Sequence, residues 1–196
     1  MIDKKDFKNI ISVGLKLFLI TSISALVLAV VNNITLPIIE KNTREKQEIA
    51  MKSVIMDAVR FEKADTSALA LVELPCTVTG VYNAVNSKDN TIGYAVMVST
   101  VGYGGDILLT VGVDSELKVT GIDVISHSET PGLGEKCTKT EFKEQFKGKE
   151  IGLSVVKNGA TANQVDAISS ATITSKAVTM GVDTALAAAK IIKEAE

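Results

Sequence analysis

Tryptophan is absent from this chain, and aromatic residues together make up only 4% of it. Proteins that bind single-stranded nucleic acid stack bases on aromatic side chains, and most nucleic-acid-binding surfaces carry an excess of Lys and Arg. Here the formal net charge is -2. The composition therefore argues against a nucleic-acid partner.

Cysteine and histidine, common ligands of metals, are almost as scarce. Cys76 and Cys137 are too few for a four-cysteine iron–sulfur or zinc site within the chain, and the sequence leaves open whether they form a disulfide. The one histidine, His127, has Glu129 nearby, but further metal ligands are not evident. No G-x-S-x-G motif supplies a hydrolase nucleophile, and no G-x-G-x-x-G follows a predicted strand to bind NAD.

Charged residues are missing from Leu17 to Ile39, a run of 23 residues. A helix of this length spans about 35 Å, against roughly 30 Å of bilayer hydrocarbon. The run is long for the apolar part of a signal peptide, and no convincing A-x-A cleavage site accompanies it. We therefore predict one transmembrane helix within residues 9–39, anchored in the lipid bilayer, after a cytoplasmic tail of residues 1–8. The cytoplasmic side of the tail is a weak preference, based on four lysines before the run and three basic residues after it: Lys4, Lys5, Lys8 and Lys16 against Lys41, Arg44 and Lys46.

Beyond the span, Pro37 and Asn42-Thr43 predict a break, followed by an amphipathic helix from Thr43 to Phe61. Its apolar residues recur at three- and four-residue steps, as in a helix that packs on the domain or on a partner. They are Met51, Val54, Ile55, Ala58 and Val59. A solvated connector helix is an equally good interpretation of these faces. We assign residues 40–75 to this stalk helix and a linker.

From residue 76 to 196 the pattern predicts an α+β domain, with an antiparallel-rich sheet and packed helices. Its early segments are rich in Val, Ile, Thr and Tyr, and the short connections between them favour antiparallel neighbours. A short helix and one further strand follow, and a helix ends the chain. The predicted strands are Thr77–Val85, Thr91–Thr100, Ile107–Asp114, Leu117–Ile125 and Leu153–Val156, and the helices are Thr138–Phe146 and Ser175–Ala195, the last with a buried stripe of Val178, Val182, Ala185, Ala189 and Ile192.

Three segments of this domain have residue types suited to a ligand. Gly102–Asp106 is rich in glycine, which permits close approach of a ligand but also suits a plain turn. His127–Glu135 is a dense polar loop that is either a binding loop or an ordinary connection. Asp166–Ser175 gathers hydroxyls before the last helix, where a helix N-terminus favours a phosphate and where Thr174 or Ser175 would also serve as an N-cap.

Taken together and in this order, the three segments resemble the G subunits of the Rnf family of ion-translocating ferredoxin:NAD oxidoreductases. The C subunits of the sodium-pumping NADH:quinone oxidoreductases are close relatives of that family. The flavinylation motif of these proteins reads Asp-x-x-Ser/Thr-Gly-Ala-Thr, and Asp166 to Thr172 matches it except that Ser170 replaces the glycine. This replacement matters little unless position 170 requires a positive φ. The resemblance extends over the whole chain, including the apolar N-terminal run.

The resemblance implies that Thr172 carries FMN through a phosphoester to its side-chain oxygen, installed by a flavin transferase on the extracytoplasmic side. The flavin would make this protein a single-electron relay among the other membrane and peripheral subunits. The implied cofactor-binding residues are Thr172 with Asp166, Ser169, Ser170, Ala171 and Thr174, and, as walls of the flavin ring, Tyr103, Gly104, Glu129, Thr130, Gly132 and Leu133. The alternatives are the related protein of the quinone reductase and an anchored extracytoplasmic binding module without a cofactor.

Overall fold

The computed structural model describes residues 4–195, with side chains for residues 12–39 and 41–195. The first three residues of the predicted cytoplasmic tail lie outside the described residues. Short 3-10 turns at Ser67–Leu71, Gly134–Thr138 and Glu144–Phe146 accompany the main elements. These elements are α1 (Lys4–Val54), β1 (Arg60–Lys63), β2 (Thr77–Val85), β3 (Thr91–Val101), β4 (Asp106–Asp114), β5 (Val119–Ser126), α2 (Thr140–Lys143), β6 (Ser154–Val156), β7 (Gln164–Asp166) and α3 (Thr172–Ala195).

Five strands form an antiparallel meander in the order β1-β2-β3-β4-β5. From β2 to β5 each strand pairs with its neighbour in the chain because the connections are short, and short connections join antiparallel strands. β1 pairs with β2 across the longer segment of residues 64–76. β6 and β7 form a separate two-stranded parallel pair. The predicted α+β class with an antiparallel-rich sheet is confirmed.

The central strand β3 is buried on both faces, because a helix covers each face of the sheet. Val96 and Val98 point into the core that α3 completes, whereas Ala95 and Met97 point toward the end of α1. This alternation follows from the two-residue period of a strand. The predicted buried stripe of α3 lies entirely in the core between α3 and the sheet. Every residue of the stripe is at most 2% exposed.

The C-terminal end of α1 covers the second face of the sheet. Met51, Val54 and Ile55 are buried there against β2 and β3, and the hydroxyl of Thr120 on β5 donates to the carbonyl oxygen of Val54 at 2.5 Å. The sequence left open whether this helix packs on the domain, packs on a partner or is a solvated connector. The structure shows that its end packs on the domain. Val59, which we predicted on the same face, is exposed instead.

Several predicted boundaries are wrong. α1 continues through Pro37 without the predicted break, and it ends at Val54 rather than Phe61. Residues Arg60–Lys63 form an edge strand, because their backbone pairs with β2. The local sequence has no pattern that predicts this pairing. α3 begins at Thr172, three residues before the predicted start.

The chain forms two compact units, one ending at Glu45 and the other beginning at Lys46. Among the described residues one helix, Ser12–Val54, is long and apolar enough to cross a membrane. The hydroxyls of Thr21 and Thr35 donate to carbonyls one turn earlier in this helix, so they are satisfied without an outside partner. These bonds make the two threonines compatible with an apolar surrounding.

Candidate functional site

The Gly102–Asp106 segment is the hairpin turn between β3 and β4. The N–H of Gly102 donates to the carbonyl oxygen of Gly105 at 2.9 Å, which closes the turn. A Cβ at Gly104 would collide with the carbonyl of Ser128 in the neighbouring loop. Glycine is required there because two backbones meet. The segment is thus a turn and also a surface that another loop approaches closely.

The polar loop His127–Glu135 leaves β5 and folds back over this hairpin turn. The N–H of Glu129 donates to Nδ1 of His127 at 3.2 Å. The carbonyl oxygen of Thr130 then accepts the N–H groups of Leu133 and Glu135, at 3.2 and 3.3 Å. Gly132 has a φ of 75°, which favours glycine at this point of the turn. His127 therefore shapes the loop.

Glu129 is the residue at which the three segments meet. Its Oε1 accepts the N–H groups of Tyr103 and Gly104, at 2.8 and 3.0 Å. Its Oε2 accepts the hydroxyl of Thr174 on α3 at 2.5 Å. One carboxylate thus joins the hairpin turn, its own loop and the first turn of α3.

The hydroxyl-rich segment before α3 forms a tight turn. The N–H of Ala171 donates to the carbonyl oxygen of Ile168 at 3.0 Å, and Ser170 has a φ of 63°. A positive φ at the third residue is the conformation of a type II turn, in which glycine is usual. Position 170 therefore requires a positive φ. This is the condition under which the replacement of the motif glycine by Ser170 matters.

A buried serine holds this turn against the helix. The Oγ of Ser175 accepts the N–H of Ile168 and donates to the carbonyl oxygen of Ala171, both at 2.9 Å. Thr174 is instead bonded to Glu129. The alternative that Thr174 or Ser175 caps the helix N-terminus is therefore wrong, since both residues lie inside α3.

These segments enclose a cavity of about 450 Å³ beside the N-terminus of α3. Thr172 lies at its edge and is exposed, whereas Thr174 behind it is buried. Among the described hydrogen bonds, none uses the backbone N–H of Thr172, Ile173 or Thr174. The cavity is lined by Tyr103, Glu129, Thr130, Leu133, Gly134, Ser170, Ala171, Thr172, Ile173 and Thr174.

Eight of the twelve predicted residues line this cavity, and four lie outside its lining. Asp166 accepts the N–H of Ala160 at 2.9 Å and so supports a neighbouring loop. Ser169 is exposed in the turn, Gly104 contributes its N–H to Glu129, and Gly132 donates to Glu135. These four residues shape the segments around the cavity.

Two lining residues, Gly134 and Ile173, were not among the twelve named residues, although Gly134 lies in the segment predicted to wall the flavin ring. A Cβ at Gly134 would collide with the Glu129 carboxylate and the Thr174 hydroxyl. The sequence signal for Gly134 was its place in the Pro-Gly-Leu-Gly sequence of residues 131–134, within the polar loop. Ile173 was missed because we predicted the start of α3 too late; a start at Thr172 places this exposed apolar side chain beside the site.

The cysteines are both free thiols and both buried, which answers the question left open by the sequence. The thiol of Cys76 donates to Oγ1 of Thr100 at 3.5 Å. Within the part of the chain that the structure describes, no group of His, Cys, Asp and Glu could hold a metal ion. The cavity beside α3, which residues of all three sequence segments line, is the candidate functional site.

Comparison with known proteins identifies the family. The FMN-binding domain family matches residues 102–187, which contain all three segments. The chain is 34% identical to the G subunit of the proton-translocating ferredoxin:NAD(+) oxidoreductase complex of Clostridium ljungdahlii, over 95% of each chain. It is 35% identical to the G subunit of the Na(+)-translocating complex of Acetobacterium woodii, over 91% of this chain and 90% of the relative.

Among solved structures, the crystal structure of Shewanella oneidensis NqrC has the same fold, with a TM-score of 0.51, 22% identity and coverage of 66% of each chain. The two ferredoxin:NAD(+) relatives match this chain over nearly its whole length. This match favours the G subunits of the ferredoxin:NAD(+) complexes over the related C subunits of the quinone reductases. The chain belongs to the family of G subunits of ion-translocating ferredoxin:NAD(+) oxidoreductase complexes.

Proposed function

We propose that this protein is a membrane-anchored flavoprotein subunit that relays electrons through FMN esterified to Thr172. When bound, FMN supplies stepwise acceptance and donation of single electrons. The chain's own residues bind the cofactor, hold its phosphate and shield part of its ring from water. The observation that carries the proposal is that Thr172 is an exposed residue in the lining of a cavity built from all three sequence segments.

The residues present fit this cofactor. A cavity of about 450 Å³ is within the usual range for small-molecule sites. Free N–H groups and the dipole at the start of α3 would stabilise a phosphate attached to Thr172. Tyr103, Leu133 and Ile173 offer apolar surface for a flat ring. Polar anchoring and apolar walls are therefore both available.

The exposure of Thr172 suits a modification made by another protein. We propose that a flavin transferase attaches FMN on the extracytoplasmic side, where residues 76–196 would lie. Residues 9–39 would cross the bilayer, residues 40–75 would connect the two, and residues 1–8 would face the cytoplasm. The relatives are named as subunits of oxidoreductase complexes, which supports assembly of this chain with other membrane and peripheral subunits.

Two alternatives remain distinct from this proposal. A quinone-reductase protein would have the same fold, yet the curated relatives at 34% and 35% identity belong to ferredoxin:NAD(+) complexes. An anchored binding module would hold no cofactor at all. The presence or absence of covalent flavin separates this module from a flavoprotein.

The direct test is the flavin fluorescence of the denatured protein after co-expression with a flavin transferase. We expect a fluorescent band for the wild-type chain and none for Thr172→Ala, because the ester oxygen is gone. Ser87→Ala is the control, since it removes the hydroxyl of an exposed residue that lies outside both the flavinylation motif and the cavity lining. Fluorescence retained by Thr172→Ala would disprove the assignment, and a dark wild-type band would favour the module without cofactor.

A further inference from the structure

The Glu129 carboxylate is buried at the wall of the cavity, with 6% of the residue exposed. Buried carboxylates are costly unless hydrogen bonds satisfy them. Here both oxygens are used, by two backbone N–H groups of the hairpin turn and by the hydroxyl of Thr174. The residue is therefore a built feature that ties three segments together.

Neighbouring glycines make the space that this carboxylate needs. A Cβ at Gly102 would collide with Oε1 of Glu129, and a Cβ at Gly134 would collide with Oε2. Both oxygens thus face positions where the chain has no side chain. This arrangement explains two of the glycines in the hairpin turn and the polar loop by contact with one side chain.

The geometry keeps Glu129 negatively charged. Burial alone would raise its pKa, but the hydrogen bonds from Thr174, Gly104 and Tyr103 and the nearby His127 outweigh burial and leave the pKa below its ordinary value. Among the ion pairs of the described residues, none includes Glu129. A fixed negative charge without a Lys or Arg partner therefore lies in the cavity wall.

We propose that Glu129 is a positioning residue for FMN that holds the three cavity walls together and lowers the reduction potential of the flavin by its charge. This inference rests on the proposed function. Adding an electron to a group beside a fixed negative charge costs free energy, and the cost is larger where water is excluded. The carboxylate thus sets the cavity's shape and also disfavours reduction of what the cavity holds.

The test compares reduction potentials of the flavin in three variants of the full-length protein. Glu129→Gln keeps the shape and the hydrogen bonds, because the amide oxygen accepts both N–H groups and the amide nitrogen donates to Thr174, but it removes the charge. Glu135→Gln is the matched control: it makes the same chemical change in the same loop, outside the cavity lining. Thr174→Val removes one hydrogen bond to the carboxylate, and all potentials are measured at alkaline pH, where Glu129 stays ionised without that bond.

We expect Glu129→Gln to carry flavin with a more positive reduction potential than the wild type. Glu135→Gln and Thr174→Val should show no such rise. An unchanged potential in Glu129→Gln overturns the proposal, and so does an equal rise in Thr174→Val, because a loosened wall would then suffice. Absence of flavin from the wild-type protein would instead contradict the proposed function.

The variant could fail to fold, so thermal unfolding is measured first and Glu129→Gln is repeated in a Ser170→Gly background. Glycine relieves the positive φ at position 170, which offsets lost stability. The flavin reduction potential of Ser170→Gly is then compared with that of the double variant Ser170→Gly, Glu129→Gln. Failure to fold in both backgrounds would mean that the charge serves the fold itself, and would also overturn the proposal.

Discussion

Ser170 combines a functional location with an unfavourable backbone conformation. It lines the cavity, and its φ of 63° falls in the left-handed region that residues with a Cβ avoid. The turn is held in place by the bond from Ala171 to Ile168 and by the two bonds of Ser175. The surrounding contacts therefore impose a conformation that serine alone would not choose.

Replacing this serine by glycine should stabilise the protein. We expect Ser170→Gly to raise the free energy of unfolding by about 1 kcal/mol, because glycine adopts a positive φ without a steric penalty. Urea unfolding of the detergent-solubilised protein, followed by circular dichroism, measures the change. Ser169→Gly is the control, and it should be neutral or destabilising, because the φ of Ser169 is not positive. A Ser170→Gly protein no more stable than the wild type would contradict this account of the turn.

At the scale of elements, the end of α1 is a structural part of the globular unit. Met51, Val54 and Ile55 complete the core on the face of the sheet opposite α3. Gly112 in β4 lies so close that a Cβ there would collide with the carbonyl oxygen of Val54. The sheet and the helix end are thus fitted to each other by the absence of a side chain.

Truncating this contact should cost much of the unit's stability. Ile55→Ala is expected to lower the free energy of unfolding by roughly 2–4 kcal/mol, since it leaves a cavity in a packed core. Met56→Ala is the control: the neighbouring side chain is 83% exposed, so the change should be small. The same urea titration measures both variants. Similar values for the two would show that the chain segment directly after α1 does not contribute to this core.

The sequence predicted the elements with strong periodicity and missed those that depend on distant partners. β2 was predicted with its observed bounds, because Thr77–Val85 is uniformly strand-like and ends at a turn. β1 was missed because Arg60–Lys63 forms a strand only through pairing with β2. The continuation of α1 through Pro37 was missed because proline is locally a helix breaker, although membrane-spanning helices tolerate it.

The site was predictable in its segments but not in its connections. The glycine turn, the polar loop and the hydroxyl cluster were each visible in the sequence. Their junction at Glu129 was not, because residues 103, 129 and 174 meet only through the packing of the hairpin turn against α3. Side-chain contacts between distant segments leave no spacing pattern to read.

For the whole molecule, the decisive property is the side of the membrane on which each unit lies. Cysteine labelling suits this chain, because Cys76 and Cys137 are buried free thiols. Burial, with the carboxylates of Glu129 and Glu135, raises the pKa of Cys137 to about 11, so its reactive thiolate is scarce near neutral pH. Background labelling should therefore be low.

We expect a membrane-impermeant maleimide to label Ser87→Cys in cells whose extracytoplasmic face is accessible, because Ser87 is an exposed residue of the β2–β3 turn. Asp3→Cys, at a position outside the described residues, should react only after the membrane is permeabilised. Labelling in the reverse pattern would place the globular unit in the cytoplasm, where the proposed attachment of FMN would not occur.

The central claim concerns the bond between Thr172 and FMN. Its most direct measurement is the intact mass of the mature protein made with an active flavin transferase, followed by fragmentation of the peptide that contains residues 166–176. The account predicts a mass equal to the polypeptide plus one FMN less one water, with the added mass on Thr172. A mass equal to that of the bare polypeptide, or the added mass on a different residue, would contradict it.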